Sequence, residues 1–545
     1  MKRLSVGRAK TRLLEPCAAA LLFLFSCHSP AAPDMVLVNA KVFTADPDRP
    51  YAEALAIEAG RFSAIGTTEQ MRQLAGPATR TIDVAGRLVT PGLVEAHVHI
   101  GFDLPTPPLA MPGLPFPGPT SEQALAVVEQ AAKGQSGWIC AWIGPAVARD
   151  GRNWRAALDA VAPKTPVLLR GFWGHIAIFN SEAMRRIGIG EEVQDPMGGR
   201  WGRDSNGRLD GRAYESASTI EERVAPPDAA SRAAMFRDAA QRYARWGVTS
   251  IHLMNSAQSV DQAIAAIGTA QAPQKWTIYS WAVPVQRVVD AWTTMDAVGK
   301  TKPGKIRVEG PKWILDGTPL EQNAWRREAY RGRPMWFGRS NFTDDQLREI
   351  LQMAVRRPEQ MALHVVGDAE TDRLLKLMAM VAPADVWRAK RVRLEHGDGI
   401  RADTIEAVAR FGLVVTQNPT HLTLPGSTPV LRSLLTAGIP LALGSDAGAD
   451  EQNPFLNMML ATRYPSPDET LSREQALTAY TSGGAYAEGQ EKFKGRPVPG
   501  LAADLAVLSQ DVLSVPVQAI PVTVSLLTLI DGEIVYEDAA FGSTK

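Results

Sequence analysis

The feature that most constrains this sequence is a repeated alternation of short apolar runs and longer amphipathic runs in its central part. Eight runs have the apolar content and the Gly or Pro boundaries of buried strands. They cover residues 93–100, 248–254, 277–283, 308–317, 361–368, 391–398, 413–419 and 440–448. Helix-period segments such as AAMFRDAAQRYARWG and DDQLREILQMAVRR lie between them. Strands that alternate with helices form parallel sheets, so the pattern predicts an α/β fold, a (β/α)8 TIM barrel over residues 91–497.

One interval interrupts the alternation. Residues 101–233 are too long for a single crossover and contain a strand-like VLLRG, loops rich in Pro and Gly, and five of the thirteen tryptophans. Those five are Trp138, Trp142, Trp154, Trp173 and Trp201. We predict an inserted subdomain on the loop after the first barrel strand, at the end of the barrel where functional groups gather. Trp173 is a candidate substrate contact, and most of the other tryptophans are expected in the core.

Both ends of the sequence contain short strand-like runs between Gly and Pro turns. Near the start these are MVLVNAKVFTADP, ALAIEAGRFSAIG and TIDVAGRLVTPG, and near the end ADLAVLS, VTVSLLTLI and GEIVYED. We expect antiparallel strands here. They would form a small β-sandwich domain composed of residues 35–90 and 498–545, with the barrel inserted between its halves.

The first 27 residues have the order of a secretory signal, in which basic residues precede a short apolar run, here CAAALLFLFS. The run is too short for a membrane span. It ends in LFSC, which resembles the bacterial lipobox, and this predicts that Cys27 is lipidated and that residues 28–34, HSPAAPD, form a tether. The chain would then be exported and held at a membrane, periplasmic or on the outer surface. An ordinary cleaved signal is the alternative.

Composition and charge indicate which classes of binding partner to expect. Lys plus Arg and Asp plus Glu both number 58, so the formal net charge is zero and gives no reason to expect a nucleic acid. The three cysteines are Cys17, Cys27 and Cys140, which leaves no disulfide framework in a processed chain. We expect a small-molecule substrate, while the oligomeric state stays open.

Candidate metal ligands stand at the ends of the predicted strands, where barrel enzymes place functional groups. His97 and His99 end the first strand, and residues two apart on a strand point the same way. His364, His396 and Asp446 each end another predicted strand. A mixture of imidazole and carboxylate ligands suits zinc. Each element alone has an ordinary alternative, such as a hydrogen-bonded structural histidine or a helix cap at Asp446.

A lysine in the predicted fourth strand, VEGPKWILDG, raises a separate question. Lysine is rarely buried without a partner, and burial favours its neutral form. Lys312 is therefore either a neutral amine with a chemical use or an ordinary lysine that snorkels or pairs with a carboxylate such as Asp316.

In order and register, these residues resemble the amidohydrolase superfamily, whose barrel carries HxH on strand one, lysine on strand four, histidines on strands five and six and aspartate on strand eight. Longer motifs, including VTPGLVEAHVHI, LLRGFWGHIAIFNSEAM, LHVVGD, RLEHGD and GSDAG, resemble its family 3 branch, which is YtcJ-like and includes N-substituted formamide deformylases. The likeness covers residues 35–545. It is weakest after the strand-four DG, where this chain has TPLEQNAWRREAYRGRPMWFGRS.

The resemblance implies a metal-dependent hydrolase that cleaves an amide or N-acyl C–N bond. Two divalent ions, zinc in the first place, would be held by His97, His99, Lys312, His364, His396 and Asp446, with Lys312 carboxylated and bridging. Asp446 would move the proton from a metal-activated water to the leaving amine.

Three further histidines are candidates for the substrate side of such a site. His421 and His252 would donate to the carbonyl or the oxyanion, and His175 would reach over the pocket mouth; structural roles are the alternative for His421 and His252. At the level of function, the rivals are hydrolysis of a cyclic amide, carbamate or ester at the same site, and a ligand-binding lipoprotein without turnover.

The lipobox reading predicts that Cys27→Ser blocks lipidation. Cell fractionation and mass spectrometry of the N-terminus should then show a soluble or unprocessed form, whereas the unmodified protein sediments with membranes. Membrane partitioning and processing that the substitution leaves unchanged would rule the reading out.

Overall fold

The computed structural model describes residues 32–101, 107–114, 118–134, 137–219, 224, 227–256, 258–282, 287–299, 305–424, 430–448, 451–464 and 466–542. Segment 1–27, with Cys27, lies outside these residues, and so do residues 28–31 of the expected tether. Within the described ranges, no helix has both the length and the apolar content that crossing a membrane requires.

Eight parallel strands form the central sheet. Their bounds are Leu93–Val98, Val248–Asn255, Lys275–Trp281, Ile306–Ile314, Ala362–Val365, Arg393–His396, Val414–Gln417 and Leu441–Leu443. They pair in chain order, each parallel to the next. Every strand overlaps one of the eight apolar runs, so the predicted barrel is confirmed.

Helices follow the strands and cover the outside of the sheet. In the barrel they are Ala229–Arg245, Val260–Ala270, Val288–Gly299, Asp344–Arg356, Asp368–Val381, Ala384–Lys390, Ile405–Phe411, Leu431–Thr436, Pro454–Arg463, Arg473–Thr478 and Gly484–Ala487. Sequence signals set their starts: Thr343 and Gln346, for example, form a capping box. The main apolar core lies between sheet and helices and includes the fully buried Trp276 and Trp387.

The seam between the first and the eighth strand is closed by side chains as well as backbone. The Glu95 carboxyl group accepts hydrogen bonds from the backbone N–H groups of Ser445 (2.7 Å) and His97 (3.1 Å). The Asp446 N–H donates to the His97 carbonyl at 2.9 Å. A Cβ on Gly444 would lie only 2.4 Å from the His97 nitrogen, so the two strand ends approach closely.

The interval between the first two barrel strands contains its own five-stranded sheet. The strands are Ile139–Ile143, Val167–Gly171, Ile176–Phe179, Gly199–Arg203 and Leu209–Glu215, and the helices are Ser121–Ala132, Pro145–Arg149, Trp154–Val161 and Ser181–Arg186. This sheet has apolar clusters of its own, in which Trp154 and Trp201 are buried. The Trp173 indole N–H donates to Glu321 at 2.7 Å and ties the insertion to the loop after the fourth barrel strand.

Two further sheets are built from the ends of the chain. One has the order Arg61–Gly66, Ala54–Glu58, Met35–Val38, Arg80–Asp83, and the other the order Glu533–Glu537, Ser525–Ile530, Leu505–Leu508, Leu88–Pro91, Lys41–Phe43, Tyr51–Ala52. Short helices, Thr68–Leu74 and Ala539–Gly542, accompany them. Leu37 of the first sheet and Leu527 of the second belong to one apolar cluster.

The expectation that all terminal strands are antiparallel is wrong in two places. Met35–Val38 pairs parallel with Arg80–Asp83, and Lys41–Phe43 pairs parallel with Leu88–Pro91. The runs MVLVNAKVFTADP and TIDVAGRLVTPG each contain two strands, one in each of the two sheets. The chain turns between the two strands at Asn39 in the first run and at Ala85 in the second, where φ is 53° and 51°. Because both runs cross between the sheets in the same direction, their halves lie parallel.

We predict that Glu95→Ala lowers the free energy of unfolding by about 2–4 kcal/mol, because two buried N–H groups lose their acceptor. Glu95→Gln is the matched control. Burial raises the pKa of Glu95 to about 8 despite hydrogen bonds from the backbone, so a neutral amide of the same shape should cost only about 1 kcal/mol. Urea unfolding followed by circular dichroism measures both, and equal losses would contradict the role given to the carboxyl group.

Candidate metal centre

The predicted ligands converge at the carboxyl-terminal end of the barrel. The ring centroids of His97 and His99 lie 5.5 Å apart, those of His97 and His396 4.9 Å, and those of His364 and His396 4.5 Å. The Lys312 amine lies 3.1 Å from His97 Nε2. Residues from strands far apart in the sequence therefore surround one small volume.

Asp446 lies at the centre of this group. Its Oδ1 is 3.5 Å from His97 Nε2 and 3.4 Å from His99 Nε2, and its Oδ2 is 3.4 Å from His421 Nε2. Burial raises the pKa of Asp446, but the surrounding histidines and Lys312 lower it by more, so the net shift is downward and the carboxylate is ionised. One carboxylate thus joins two sets of potential ligands: His97, His99 and Asp446, and His396, His421 and Asp446.

His364 gives the clearest test of whether the site fits a cation. The residue is 2% exposed, and neither ring nitrogen has a hydrogen-bond partner among the described residues. Burying a polar group without a hydrogen-bond partner costs free energy of folding, and a cation bound to a ring nitrogen of His364 would offset that cost. The donor set around it, imidazoles with one carboxylate, is the set that zinc and similar ions bind. The residues present fit a divalent metal.

Burial also keeps the ligand imidazoles neutral. It lowers the pKa of His97, His364 and His396 well below the ordinary value, and it lowers that of His99 to about 4. The nearby Lys312 adds to the lowering in each case. Each ring therefore has a lone pair for a metal at neutral pH.

Lys312 is buried, at 2% exposure, and its pKa is lowered by burial although Asp446 and Glu395 oppose the shift. Within the described residues no carboxylate lies within the ion-pair distance of 4.0 Å from its amine. Asp316, the partner considered from the sequence, instead accepts backbone N–H groups from Trp325, Val366 and Gly367 at 2.8–3.0 Å. The pairing of Lys312 with Asp316 is therefore wrong.

Two ligands have unusual backbone conformations. His396 has φ of 69° and Asp446 has φ of 44°, values that residues other than glycine adopt rarely. Neighbouring side chains on a strand point to opposite faces, yet Glu395 and His396 both reach the His97 ring. The turn at His396 allows this. Backbone strain of this kind is concentrated at functional sites.

Two of the three other histidines reach the ligand group. His421 comes from the turn Pro419–Thr423 after the seventh strand and contacts Asp446 as described. His175 comes from the insertion; its ring lies 4.9 Å from that of His364, and its Nδ1 lies 2.7 Å from the Glu215 carboxylate. The Trp173 indole N–H donates to Glu321, and its role as a substrate contact stays a prediction.

His252 does not join them. Its side chain is fully buried, its Nδ1 accepts from Arg393 at 2.9 Å, and its Nε2 lies 3.2 Å from Glu488. Both ring nitrogens therefore face buried side chains of the protein. These contacts correct the expectation that His252 donates to a carbonyl or an oxyanion.

The sequence reading missed the groups that support the ligands. Glu395 lies 2.6 Å from His97 Nδ1, Arg393 pairs with Glu395, and Glu215 orients His175. A signal for the first two was present. Arg393 and Glu395 alternate in RVRLEHGD, a strand between apolar neighbours, and buried charges are rarely kept without a partner.

Comparison with known proteins agrees with this geometry. Residues 80–536 match the Amidohydrolase family. The chain is 26% identical to an N-substituted formamide deformylase of Arthrobacter pascens, over 92% of this chain and 98% of that one. It is 25% identical to a Bacillus subtilis (strain 168) protein named as the amidohydrolase YtcJ, over 89% and 96%.

A solved structure supports the fold. An uncharacterised metal-dependent hydrolase of Pyrococcus horikoshii superposes with a TM-score of 0.65 at 18% identity, over 89% of this chain and 99% of that one. The family match spans residues 80–536, and the fold match covers 89% of the chain. The chain belongs to the amidohydrolase family, and it is a metal-dependent hydrolase built on an α/β barrel.

Proposed function

We propose that this protein hydrolyses an amide or N-acyl C–N bond of a small, apolar substrate. The observation that carries the proposal is the convergence of four neutral imidazoles and a lysine on one ionised carboxylate, Asp446, in a buried site. The similarity to a deformylase of N-substituted formamides points to the same bond type. On the pattern of residues 1–27, we further propose that the chain is exported and anchored through Cys27.

The residues suit two divalent ions, with zinc the first candidate because the donors are nitrogen and oxygen. His97 and His99 would hold one ion and His364 and His396 the other, with Asp446 beside the first pair. Ions bound there would supply Lewis acidity toward water and toward the scissile carbonyl.

Lys312 would bridge the two ions as a carbamate. Burial favours its neutral amine, whose lone pair can attack carbon dioxide. An N–C bond then forms, one proton leaves the nitrogen for solvent, and the product carries a negative charge on two oxygens. A carbamate so formed would also give the buried lysine the anionic character that the cations require, since no carboxylate of the described residues pairs with it.

Asp446 is placed to move the proton. It is ionised, it is partly exposed at 19%, and its oxygens lie within 4.0 Å of four imidazoles. A carboxylate in this state can accept the proton of the attacking water and deliver it to the amine nitrogen as the C–N bond breaks. Without that transfer the leaving group would depart as a strongly basic amide anion.

His421 and His175 are the partly exposed histidines beside the candidate metal ligands. The His421 side chain is 24% exposed, with Nε2 directed to Asp446, and the His175 side chain is 15% exposed. They stand on opposite sides of the ligand group, beside His396 and His364 respectively. Both are suited to contact the carbonyl group of a substrate.

We predict that His364→Ala lowers bound metal from about two ions per chain and reduces activity by more than about 100-fold, since even outer partners of ligands cost about 10–100-fold. Elemental analysis of protein purified without chelator, together with amine release from a panel of acyl amides, esters and carbamates, measures both effects.

Gln274→Ala is the control for this variant. Gln274 is also fully buried, but it donates to the Ala240 carbonyl ahead of the third strand, away from the ligands. It should lower stability and keep the metal. An active enzyme without a tightly bound divalent ion would contradict the proposal, and cleavage of esters alone would move it to the rival chemistry.

The carbamate makes a separate prediction. Lys312→Ala should lose metal and activity together, and formate, acetate or propionate should restore part of the rate by replacing the missing oxygen ligands. Lys312→Arg should be as inactive as the alanine variant, because a guanidinium stays protonated and cannot take up carbon dioxide.

A lysine that acts only as a cation gives the opposite pattern. Lys312→Arg would then keep most of the activity, short carboxylates would have no effect on Lys312→Ala, and metal occupancy would stay complete. Kinetic assays with each carboxylate, with chloride at equal ionic strength as control, separate the two cases.

A further inference from the structure

Beneath the ligand group, the barrel interior contains charged side chains that the proposed reaction does not use. Arg393, Glu395 and His252 are each fully buried, and Glu488 is nearly so. Residues of these types are seldom buried unless they are paired and hydrogen-bonded. Their contacts form one continuous series that begins at a metal ligand.

The series starts at His97. Its Nδ1 donates to Glu395 Oε2 at 2.6 Å, which leaves Nε2 with its lone pair on the side of Lys312 and Asp446. A carboxylate that accepts the far N–H of a metal-binding histidine fixes its tautomer and its ring orientation and raises its basicity. Glu395 stands in that relation to His97.

Arg393 in turn holds Glu395. Its Nε donates to Glu395 Oε1 at 2.7 Å, and its Nη2 donates to the carbonyl of Ala96 at 2.7 Å and to Thr416 at 3.0 Å. The remaining donor direction, Nη1, meets His252 Nδ1 at 2.9 Å. Each nitrogen of the guanidinium thus has at least one acceptor, as a buried charge requires.

The contact with Arg393 determines the tautomer of His252. A guanidinium can only donate, so His252 Nδ1 is the acceptor and the ring proton is on Nε2. That nitrogen lies 3.2 Å from Glu488 Oε1. Burial lowers the pKa of His252 and keeps the ring neutral, although Glu488 opposes the shift.

Glu488 is the next member of the series. It forms an ion pair with Lys494 at 2.6 Å, and Lys494 donates to Ser250 Oγ at 2.6 Å. Both charged residues come from the segment that follows the helix Gly484–Ala487. The ligand His97 is therefore connected, contact by contact, to a different part of the chain.

We propose that His252 is a positioning residue that maintains the metal affinity of His97 through Arg393 and Glu395. The inference rests on the proposed metal site. If the acceptor at His252 is removed, one buried donor of Arg393 loses its partner. We expect the Arg393 guanidinium to rotate toward another acceptor. The Glu395 carboxylate, which orients His97, would then move with it.

The test compares His252→Leu with His252→Gln. Glutamine offers an oxygen to Arg393 and an N–H to Glu488, whereas leucine offers neither. We expect leucine to weaken metal binding by about 10–100-fold, the usual cost of losing an outer partner, and glutamine to restore affinity to within about 3-fold. Competition of Zn²⁺ between protein and a chromophoric chelator gives the dissociation constant, and the absorption spectrum of the Co²⁺-loaded protein reports on the ligand geometry.

Asp504→Asn is the matched structural control. Asp504 is also buried and ion-paired, with Lys275 at 2.7 Å, but it lies outside the series that reaches His97. It should lower stability and leave the Zn²⁺ constant and the Co²⁺ spectrum unchanged. If His252→Leu does not fold, His252→Met, with a longer side chain and no strong acceptor, takes its place.

The outcomes separate the two levels of the proposal. Unchanged affinity and spectrum in the leucine or methionine variant would overturn the inference while the metal site stands. Equal weakening in the glutamine variant and in Asp504→Asn would also overturn it, because any loss of stability would then give the same result. An unmodified protein that binds no Zn²⁺ would overturn the metal site and this inference together.

Discussion

Burial of charge inside the barrel is the constraint on which the rest of the site depends. The Arg393 guanidinium lies between Glu395, the Ala96 carbonyl and Thr416, and Glu395 in turn holds the His97 ring. A buried ion pair contributes little net stability against an apolar pair of the same shape, but removing one member costs several kcal/mol. Loss of Arg393 or Glu395 alone would therefore leave the other charge buried without its partner.

The same burial produces the chemical state of the ligands. Removal from water penalises charged imidazoles and a charged amine alike, so His364 and Lys312 both shift toward their neutral forms. Asp446 is the exception, because its interactions with the nearby histidines and Lys312 lower its pKa by more than burial raises it. Neutral nitrogen donors around one anion are the arrangement a divalent cation needs. Burial thus favours the neutral state of the nitrogen ligands at the candidate metal site.

The inserted subdomain contributes a histidine and its carboxylate partner to the site, in addition to the residues that the barrel provides. It brings His175 beside His364, and Glu215, which orients His175, has φ of 53° at the end of its strand. Trp173 and Glu321 tie this wall to the loop after the fourth strand, close in sequence to Lys312. The insertion therefore adds His175 beside the candidate ligands, while the candidate ligands themselves come from the barrel strands and the turns that follow them.

The sequence alone determined the strand count and the strand ends at which the candidate ligands stand, because periodicity reports which residues are buried and barrel strands place their functional ends together. The sequence did not determine which side chains contact one another. His97 and Glu395 are 298 positions apart, and His252 and Arg393 are 141 apart. A period of two residues shows which face a side chain occupies but not which group it meets there. Only the closed barrel decided that Asp316 binds backbone N–H groups rather than Lys312 and that the buried His252 lies between Arg393 and Glu488.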